Sequence, residues 1–394
     1  MSLTETRASD NILNKNLEMI SPSGIRKFFD ILFSLDGVVS LGIGEPDFIT
    51  PRHIRDAATY ALEKGYTMYS SNYGLLELRQ ELAQHLKSHF HVGYDPEKEI
   101  LITVGTSQGL DLALRATINP GDEVIIPDPC YVAYSPCIVL AGGVPVPVLT
   151  GIENDFSIKA SDIEACITSK TKSILIGYPS NPTGAIVPLD ELNKIAEVAR
   201  KYNLVVISDE VYSRLVYGVT HNCFPGIPGT IDRTILIGGF SKTYAMTGWR
   251  IGYVAADRKF IEAMTRIHQY TMLCAPIMVQ MAAIEALKNG EDDIKMMVNE
   301  YDKRRHLLAD GLNSIGLNCF EPSGAFYTFP SIACTGMTSD EFSERLLMEE
   351  KVAVIPGSAF GSGGEGFVRC SYATPLKNIE EALTRMSKFV KKHS

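Results

Sequence analysis

From about residue 100 the chain alternates short apolar runs with longer stretches in which apolar residues recur at helical spacing. The runs fall at residues 100–104, 124–127, 144–149, 173–177, 204–208, 234–238 and 251–255. They are nearly continuous and rich in β-branched side chains, the pattern of strands covered on both faces of a parallel sheet. Between two of them, Leu192, Ile195, Ala196 and Ala199 make the stripe of a helix packed on one side. Further helices are predicted from near Ser107 and through Tyr134 and Leu140. Ser161 and Glu164 have the spacing of a capping box that would open another. Strand and helix repeated in this way predict an α/β domain, a mostly parallel seven-stranded sheet sandwiched by helices.

After about residue 290 the pattern changes. A long helix is expected over 299–315, then a strand over 325–329 and a helix capped by Thr338 and Glu341. Strands over 352–355 and 367–371 follow, and the last helix ends in Lys391 and Lys392, cations suited to a helix C-terminus. This reads as a smaller α+β domain. The stretch through Leu41 is too short to fold alone and is expected to join it. The resulting division is residues 1–46 as N-terminal arm and part of the small domain, 47–290 as the large domain, and 291–394 as the small C-terminal domain.

Composition narrows the partners. The chain has 394 residues, of which 45% are hydrophobic and 21% charged, an ordinary globular mixture with room for a large core. No apolar run approaches the roughly 20 residues that span a bilayer. Residues 1–13 lack the apolar region of a secretory signal, so a cytoplasmic protein is expected. A net charge of -9 disfavours nucleic acid and anionic membranes as partners, while a small anion in a local pocket remains open. Eight cysteines are scattered without a CxxC pair, which signals neither a zinc site nor a redox motif.

The chemistry concentrates in Gly239-Phe240-Ser241-Lys242-Thr243-Tyr244-Ala245-Met246-Thr247-Gly248-Trp249-Arg250-Ile251-Gly252. A lysine just past a buried strand can form an imine with a carbonyl cofactor, and the planar fork of Arg250 suits a phosphate. A surface lysine beside a loop is the plain alternative for a single Lys-Arg pair. The whole segment, however, resembles the lysine signature of the class I and II aminotransferases, which use pyridoxal 5′-phosphate in what is called fold type I.

The resemblance extends to other segments in the family's order. It implies that Asp209, which follows the run at 204–208, pairs with the pyridine nitrogen and keeps the ring an electron sink. Alone, Asp209 would read equally well as a strand-end turn residue. Tyr212 and Asn181 map to the residues that hydrogen-bond the ring's phenolic oxygen. Asn181 sits in Pro179-Ser180-Asn181-Pro182-Thr183-Gly184, where Asn181–Pro182 is a candidate cis bond. Val104-Gly105-Thr106-Ser107-Gln108 is a glycine turn entering a helix, a natural anion cradle. The family pattern puts the cofactor phosphate there, on Gly105, Thr106 and Ser107, with Ser241 and Arg250 opposite. Tyr131 matches the aromatic residue that stacks on the pyridine.

On the substrate side, Leu41-Gly42-Ile43-Gly44-Glu45-Pro46 resembles the family's glycine loop, which makes Ile43 and Gly44 substrate contacts. Arg369 stands in an otherwise apolar strand and needs a partner. A bidentate clamp on the substrate α-carboxylate supplies one, and an intramolecular salt bridge is the alternative. Two weaker signals are set aside. Residues 361–366 satisfy GxGxxG but lie between strands, not ahead of a helix, so no dinucleotide site is expected. His85, His89 and His91 read as a solvated helix end, and no metal site is expected.

The resemblance runs from about Ile20 to the C-terminal helix and is strongest to the prokaryotic branch with aromatic and N-acetyl-diaminopimelate aminotransferases. It implies a mechanism. Lys242 holds the cofactor as an imine until an amino acid displaces it, and then moves a proton from the substrate α-carbon to the cofactor's C4′. A second keto acid, expected to be 2-oxoglutarate, takes the amino group in a ping-pong cycle. It also implies a homodimer with shared active sites, in which Tyr69, from Thr67-Met68-Tyr69-Ser70-Ser71-Asn72-Tyr73-Gly74, reaches the neighbouring cofactor's phosphate. No second cation marks a distal carboxylate site at Ser107 or over 270–276, which favours aromatic or large neutral donors in a pocket lined by Ile25, Ile43 and Tyr131. N-acetyl-diaminopimelate and aspartate are the alternatives, with Arg26 and Lys27 as the distal cations. A carbon–sulfur lyase is the rival of another reaction class. A cofactor-binding transcription regulator is disfavoured because residues before Ile20 are too few for a DNA-binding domain.

Overall fold

The computed structural model describes residues 14–20 and 36–394. The expectations for residues 1–13 and for Ile25, Arg26 and Lys27 fall outside the described residues. A short strand β1 (Val39–Ser40) leads to helices α1 (Arg52–Glu63) and α2 (Leu76–Phe90). Then come β2 (Ile100–Thr103), α3 (Gly105–Thr117), β3 (Glu123–Asp128), α4 (Tyr134–Leu140) and β4 (Val144–Leu149). Helix α5 (Ala160–Ala165), β5 (Thr171–Gly177), α6 (Leu189–Lys201), β6 (Val205–Asp209), β7 (Thr234–Gly239) and β8 (Gly252–Ala256) follow.

These strands form one seven-stranded sheet in the order β2-β8-β7-β6-β5-β3-β4. All pairings are parallel except those of β8, which runs against both β2 and β7. Ile174, Leu175, Val206, Ile207, Ile235 and Leu236 are fully buried, because helices cover both faces. Each such side chain contributes about 1.5–3 kcal/mol by leaving water. The edge strand β4 departs from this expectation: Val144 and Leu149 are exposed. Pro145 and Pro147 in it cannot donate to a further strand, which is tolerated only at an edge. The carboxyl ends of β2, β3, β5, β6 and β7 point the same way, so Thr103, Asp128, Gly177, Asp209 and Gly239 share one rim. In open α/β sheets ligands bind at this rim.

The rest of the chain adds α7 (Arg258–Thr271), α8 (Ile277–Asn289), α9 (Glu291–Ser314), β9 (Tyr327–Thr328) and α10 (Ser339–Glu350). It closes with β10 (Val352–Ala353), β11 (Ile355–Pro356), β12 (Val368–Ser371) and α11 (Leu376–His393). Helix α9 starts eight residues before the expected position, its first turn supplied with Glu291, Asp292 and Asp293, charges favourable at a helix N-terminus. The strand expected over 352–355 is divided between two sheets. β10 pairs in parallel with β1, which ties the N-terminal segment to this part, while β11 joins β12 and β9. Tyr301, Phe326, Tyr327, Phe342, Tyr372 and Phe389 fill its core, which continues through Tyr212 and Leu215 into the large unit.

Three local expectations are corrected. Ser161 does not cap α5, which starts one residue earlier. The Ala160 amide donates instead to Glu191 Oε1 (2.7 Å), and Glu164 pairs with Lys201 (2.7 Å). Thr338, by contrast, does cap α10, accepting from the Glu341 amide. Cis peptide bonds occur at Asp128–Pro129 and Tyr178–Pro179, and Asn181–Pro182 is not among them. At the end of α2, His89 and His91 are exposed, but His85 is half-buried with its ring 4.4 Å from that of His89. Burial pushes its pKa down to about 3. Among the described residues no helix is long and apolar enough to cross a membrane, and all eight cysteines are free thiols.

Candidate active site

The rim of the sheet and the segment after β1 enclose a cavity of about 330 Å³. Lys242 enters it from the turn three residues past β7. Its Nζ donates to Gly44 O (2.7 Å) and stands 5.8 Å from the centre of the Phe326 ring. Burial lowers its pKa to about 8; Glu45 opposes that shift, while Arg369 and Arg250 add to it. The turn that aims it is tightly wound, with Ala245 (φ 53°) and Arg250 (φ 54°) in the left-handed region that side chains rarely adopt.

Asp209 ends β6 on the same rim. Its Oδ2 accepts from the Tyr134 hydroxyl (2.9 Å) and its Oδ1 from the Val211 amide (3.2 Å). Burial raises its pKa to about 6, and no cation pairs with it among the described residues. Tyr131 lines the wall above, its ring set edge-on to Tyr134 at 5.6 Å. Tyr212 meets Tyr327 hydroxyl to hydroxyl at 2.8 Å.

The first turn of α3 closes one end. Its amides have no partner inside the helix, and Thr106 and Ser107 line the cavity beside Ser241 and Arg250. Gly105 turns the chain into this helix at φ +76°, and a Cβ there would stand 2.5 Å from Arg250 Nη2. Gly105 itself does not line the cavity; it is the turn that lets the guanidinium approach.

Arg369 closes the other end. It is buried, Nη1 donating to Asn181 Oδ1 (2.9 Å) and Nη2 to Gly42 O (2.7 Å). Its guanidinium lies between the rings of Tyr327 (4.6 Å) and Phe360 (5.0 Å). The Nε has no partner, and no carboxylate of the described residues lies within ion-pair distance, so the intramolecular salt bridge does not form.

Of the residues singled out in the sequence, Gly44, Thr106, Ser107, Tyr131, Asn181, Asp209, Tyr212, Ser241, Lys242, Arg250 and Arg369 therefore meet in one cavity. Ile43 is outside its lining and 38% exposed, and Tyr69 is 83% exposed on the surface of the single chain. Tyr134 and Tyr327 line the cavity and were not anticipated. Nothing local distinguishes either from core packing.

The family model described as Aminotransferase class I and II matches residues 36–386. A putative aminotransferase, YugH, of Bacillus subtilis is 51% identical over 96% of this chain and 98% of its own. An aspartate aminotransferase of Pyrococcus abyssi is 46% identical, with 96% and 98% covered. A crystal structure of an aromatic aminotransferase from Pyrococcus horikoshii superposes with a TM-score of 0.91 at 44% identity, covering 96% of this chain and 98% of that one.

Proposed function

Because the chain belongs to the class I and II aminotransferases, which use pyridoxal phosphate, we propose that it moves the amino group of an aromatic or other large neutral amino acid to 2-oxoglutarate in a ping-pong cycle. The observation that carries the reading is Arg369, a buried guanidinium with no carboxylate partner among the described residues, in one cavity with Lys242 and Asp209. A buried cation of this kind is costly unless an anion completes it, and a substrate α-carboxylate does so bidentately. The same argument makes the cavity fit the cofactor. Asp209 is a buried carboxylate that pairs with no cation among the described residues, and the Ser107 end offers amides, hydroxyls and Arg250 to an anion.

When bound, the pyridoxal phosphate supplies a protonated pyridine ring that draws electron density from the substrate α-carbon. In our reading Asp209 pairs with that ring's nitrogen, and Tyr131 stacks on its face. Asn181 and Tyr212 hydrogen-bond its phenolic oxygen. Thr106, Ser107, Ser241 and Arg250 would hold the phosphate, with Gly105 the turn that lets Arg250 approach it. Lys242 Nζ would hold the cofactor's aldehyde carbon and, as the free amine, would take the proton from the substrate α-carbon. Its lowered pKa suits that task, since a base near the working pH is the efficient one. Arg369 fixes the α-carboxylate beside Gly44, and Ile43 borders the site from its exposed position.

We take residues 47–290 as the cofactor-binding unit, 291–394 with the 1–46 segment as the smaller one, and the assembly as a cytoplasmic homodimer with shared active sites. Tyr69, exposed on the single chain, is then the residue that reaches the second copy's phosphate. N-acetyl-diaminopimelate and aspartate remain the alternative donors. The lyase alternative gives way to the transferase reading that the family supports. Initial rates with phenylalanine and 2-oxoglutarate test the proposal. Parallel double-reciprocal lines are expected, and intersecting lines or no keto acid product would overturn it.

A further inference from the structure

The GxGxxG-like stretch at 361–366 is not idle. Its turn holds the side chain of Asp128, more than 230 residues away in sequence. Asp128 Oδ2 accepts from the Ser362 amide (3.1 Å) and the Ser362 hydroxyl (2.8 Å), and Oδ1 accepts from the Gly363 amide (3.1 Å). Gly361 makes room: at φ +129° it adopts a conformation barred to other residues, and a Cβ there would land on Asp128 Oδ1. One backbone bond reinforces the contact, the Cys130 amide donating to Phe360 O (3.0 Å). Asp128 is only 6% exposed and pairs with no cation among the described residues, where these amides and one hydroxyl are its partners.

The location gives this contact a consequence for the reaction. Asp128 ends β3 on the rim that forms the site, whereas the turn belongs to the β11–β12 connection, and β12 bears Arg369. The residue before the turn, Phe360, is the ring against one face of the Arg369 guanidinium. We propose that Asp128 and the 361–363 turn form a clasp that positions Arg369 for the substrate carboxylate, making Asp128 a positioning residue of the reaction. This inference rests on Arg369 as the carboxylate-binding group.

The test compares Asp128→Ala, Asp128→Asn and Ser362→Ala in the holoenzyme, with phenylalanine and 2-oxoglutarate as substrates and Arg369→Lys measured alongside. An amide at 128 keeps one acceptor for a backbone N–H but turns its NH2 against the other, so it preserves the clasp only in part. Asp128→Ala is expected to raise KM for both substrates about tenfold or more, with kcat changed less than threefold and the cofactor's visible absorbance retained. Asp128→Asn should fall between wild type and Asp128→Ala, and Ser362→Ala should raise KM severalfold. A KM unchanged in Asp128→Ala and Ser362→Ala while Arg369→Lys raises it overturns the clasp. So does a fall in kcat at unchanged KM. If Asp128→Ala does not fold, Ser362→Ala alone decides. An unchanged KM in Arg369→Lys would instead overturn the role of Arg369.

Discussion

The hydroxyl of Tyr134 donates to Asp209 Oδ2 at 2.9 Å, from a helix that begins 75 residues earlier in the chain. Besides the Val211 amide it is the donor that stabilises this buried carboxylate, whose pKa burial has raised to about 6. Tyr134→Phe should push that pKa higher and weaken the carboxylate's pairing with a pyridine nitrogen. Hydrogen bonds to charged groups contribute about 1.5–3 kcal/mol, so kcat should fall by about ten- to a hundredfold. The acid limb of the pH–rate profile should move to higher pH. An unchanged acid limb would show that Tyr134 only packs.

Lys242 makes a pH-dependent stability prediction for the cofactor-free protein. Burial lowers its pKa from 10.5 to about 8, so the folded chain binds fewer protons than the unfolded one between those values. Stability therefore rises with pH across this window, and below about pH 8 the full penalty applies, about 3 kcal/mol. Lys242→Met keeps the apolar stem and removes the charge. It should raise the denaturation midpoint of the cofactor-free protein at pH 7 and abolish the rise between pH 8 and 10.5. It should also lose the visible absorbance and transamination of the holoenzyme, because the amine is gone. A variant that retained turnover would remove Lys242 from the chemistry.

What could be read from the sequence divides along physical lines. The strands of the large sheet were legible because strands buried on both faces are continuous apolar runs, and their ends place Asp209 and Lys242. Strand direction was not, since alternation and apolarity are the same for the antiparallel β8 as for its neighbours. Ser161 and Glu164 match a cap by spacing, but the helix begins at Ala160, so Ser161 lies inside its first turn, and Glu191 from a neighbouring helix accepts from the Ala160 amide. Tyr134 and Tyr327 look like core residues along the chain; their place in the site comes from contacts with Asp209 and Tyr212 that only folding creates. Asp128 is the same case, a strand-end acid whose partner lies in a turn with no apparent role.

Hybrid dimers test the shared-site assembly. Tyr69 is 83% exposed and Met68 80% exposed on the single chain, an apolar surface that a second copy would cover. A Tyr69→Ala variant and a Lys242→Ala variant should each be impaired. Mixed after dissociation, they should regain activity approaching a quarter of wild type, since one site in each hybrid receives both native residues. No gain on mixing, or a fully active monomer in sedimentation, would place Tyr69 within its own chain.

The donor is the last question, and relatives do not answer it. The aspartate enzyme of Pyrococcus abyssi and the aromatic enzyme of Pyrococcus horikoshii stand at 46% and 44% identity to this chain. The cavity itself is more informative. Its cations among the described residues are Lys242, Arg250 and Arg369, and in the proposed arrangement all three are engaged by the aldehyde, the phosphate and the α-carboxylate. A distal carboxylate would enter without a partner, and burying an unpaired charge costs several kcal/mol. A phenyl ring meets Tyr131 and Tyr327, surfaces on which an aromatic pair contributes about 0.5–1.5 kcal/mol beyond burial. The kcat/KM for phenylalanine should therefore exceed that for aspartate by tenfold or more. The acetylated diamino acid belongs in the same comparison, with Arg26→Ala and Lys27→Ala as controls for a cation supplied from the N-terminal segment. An aspartate value above that for phenylalanine, lost in either control variant, would replace the aromatic reading with one in which that segment completes the pocket.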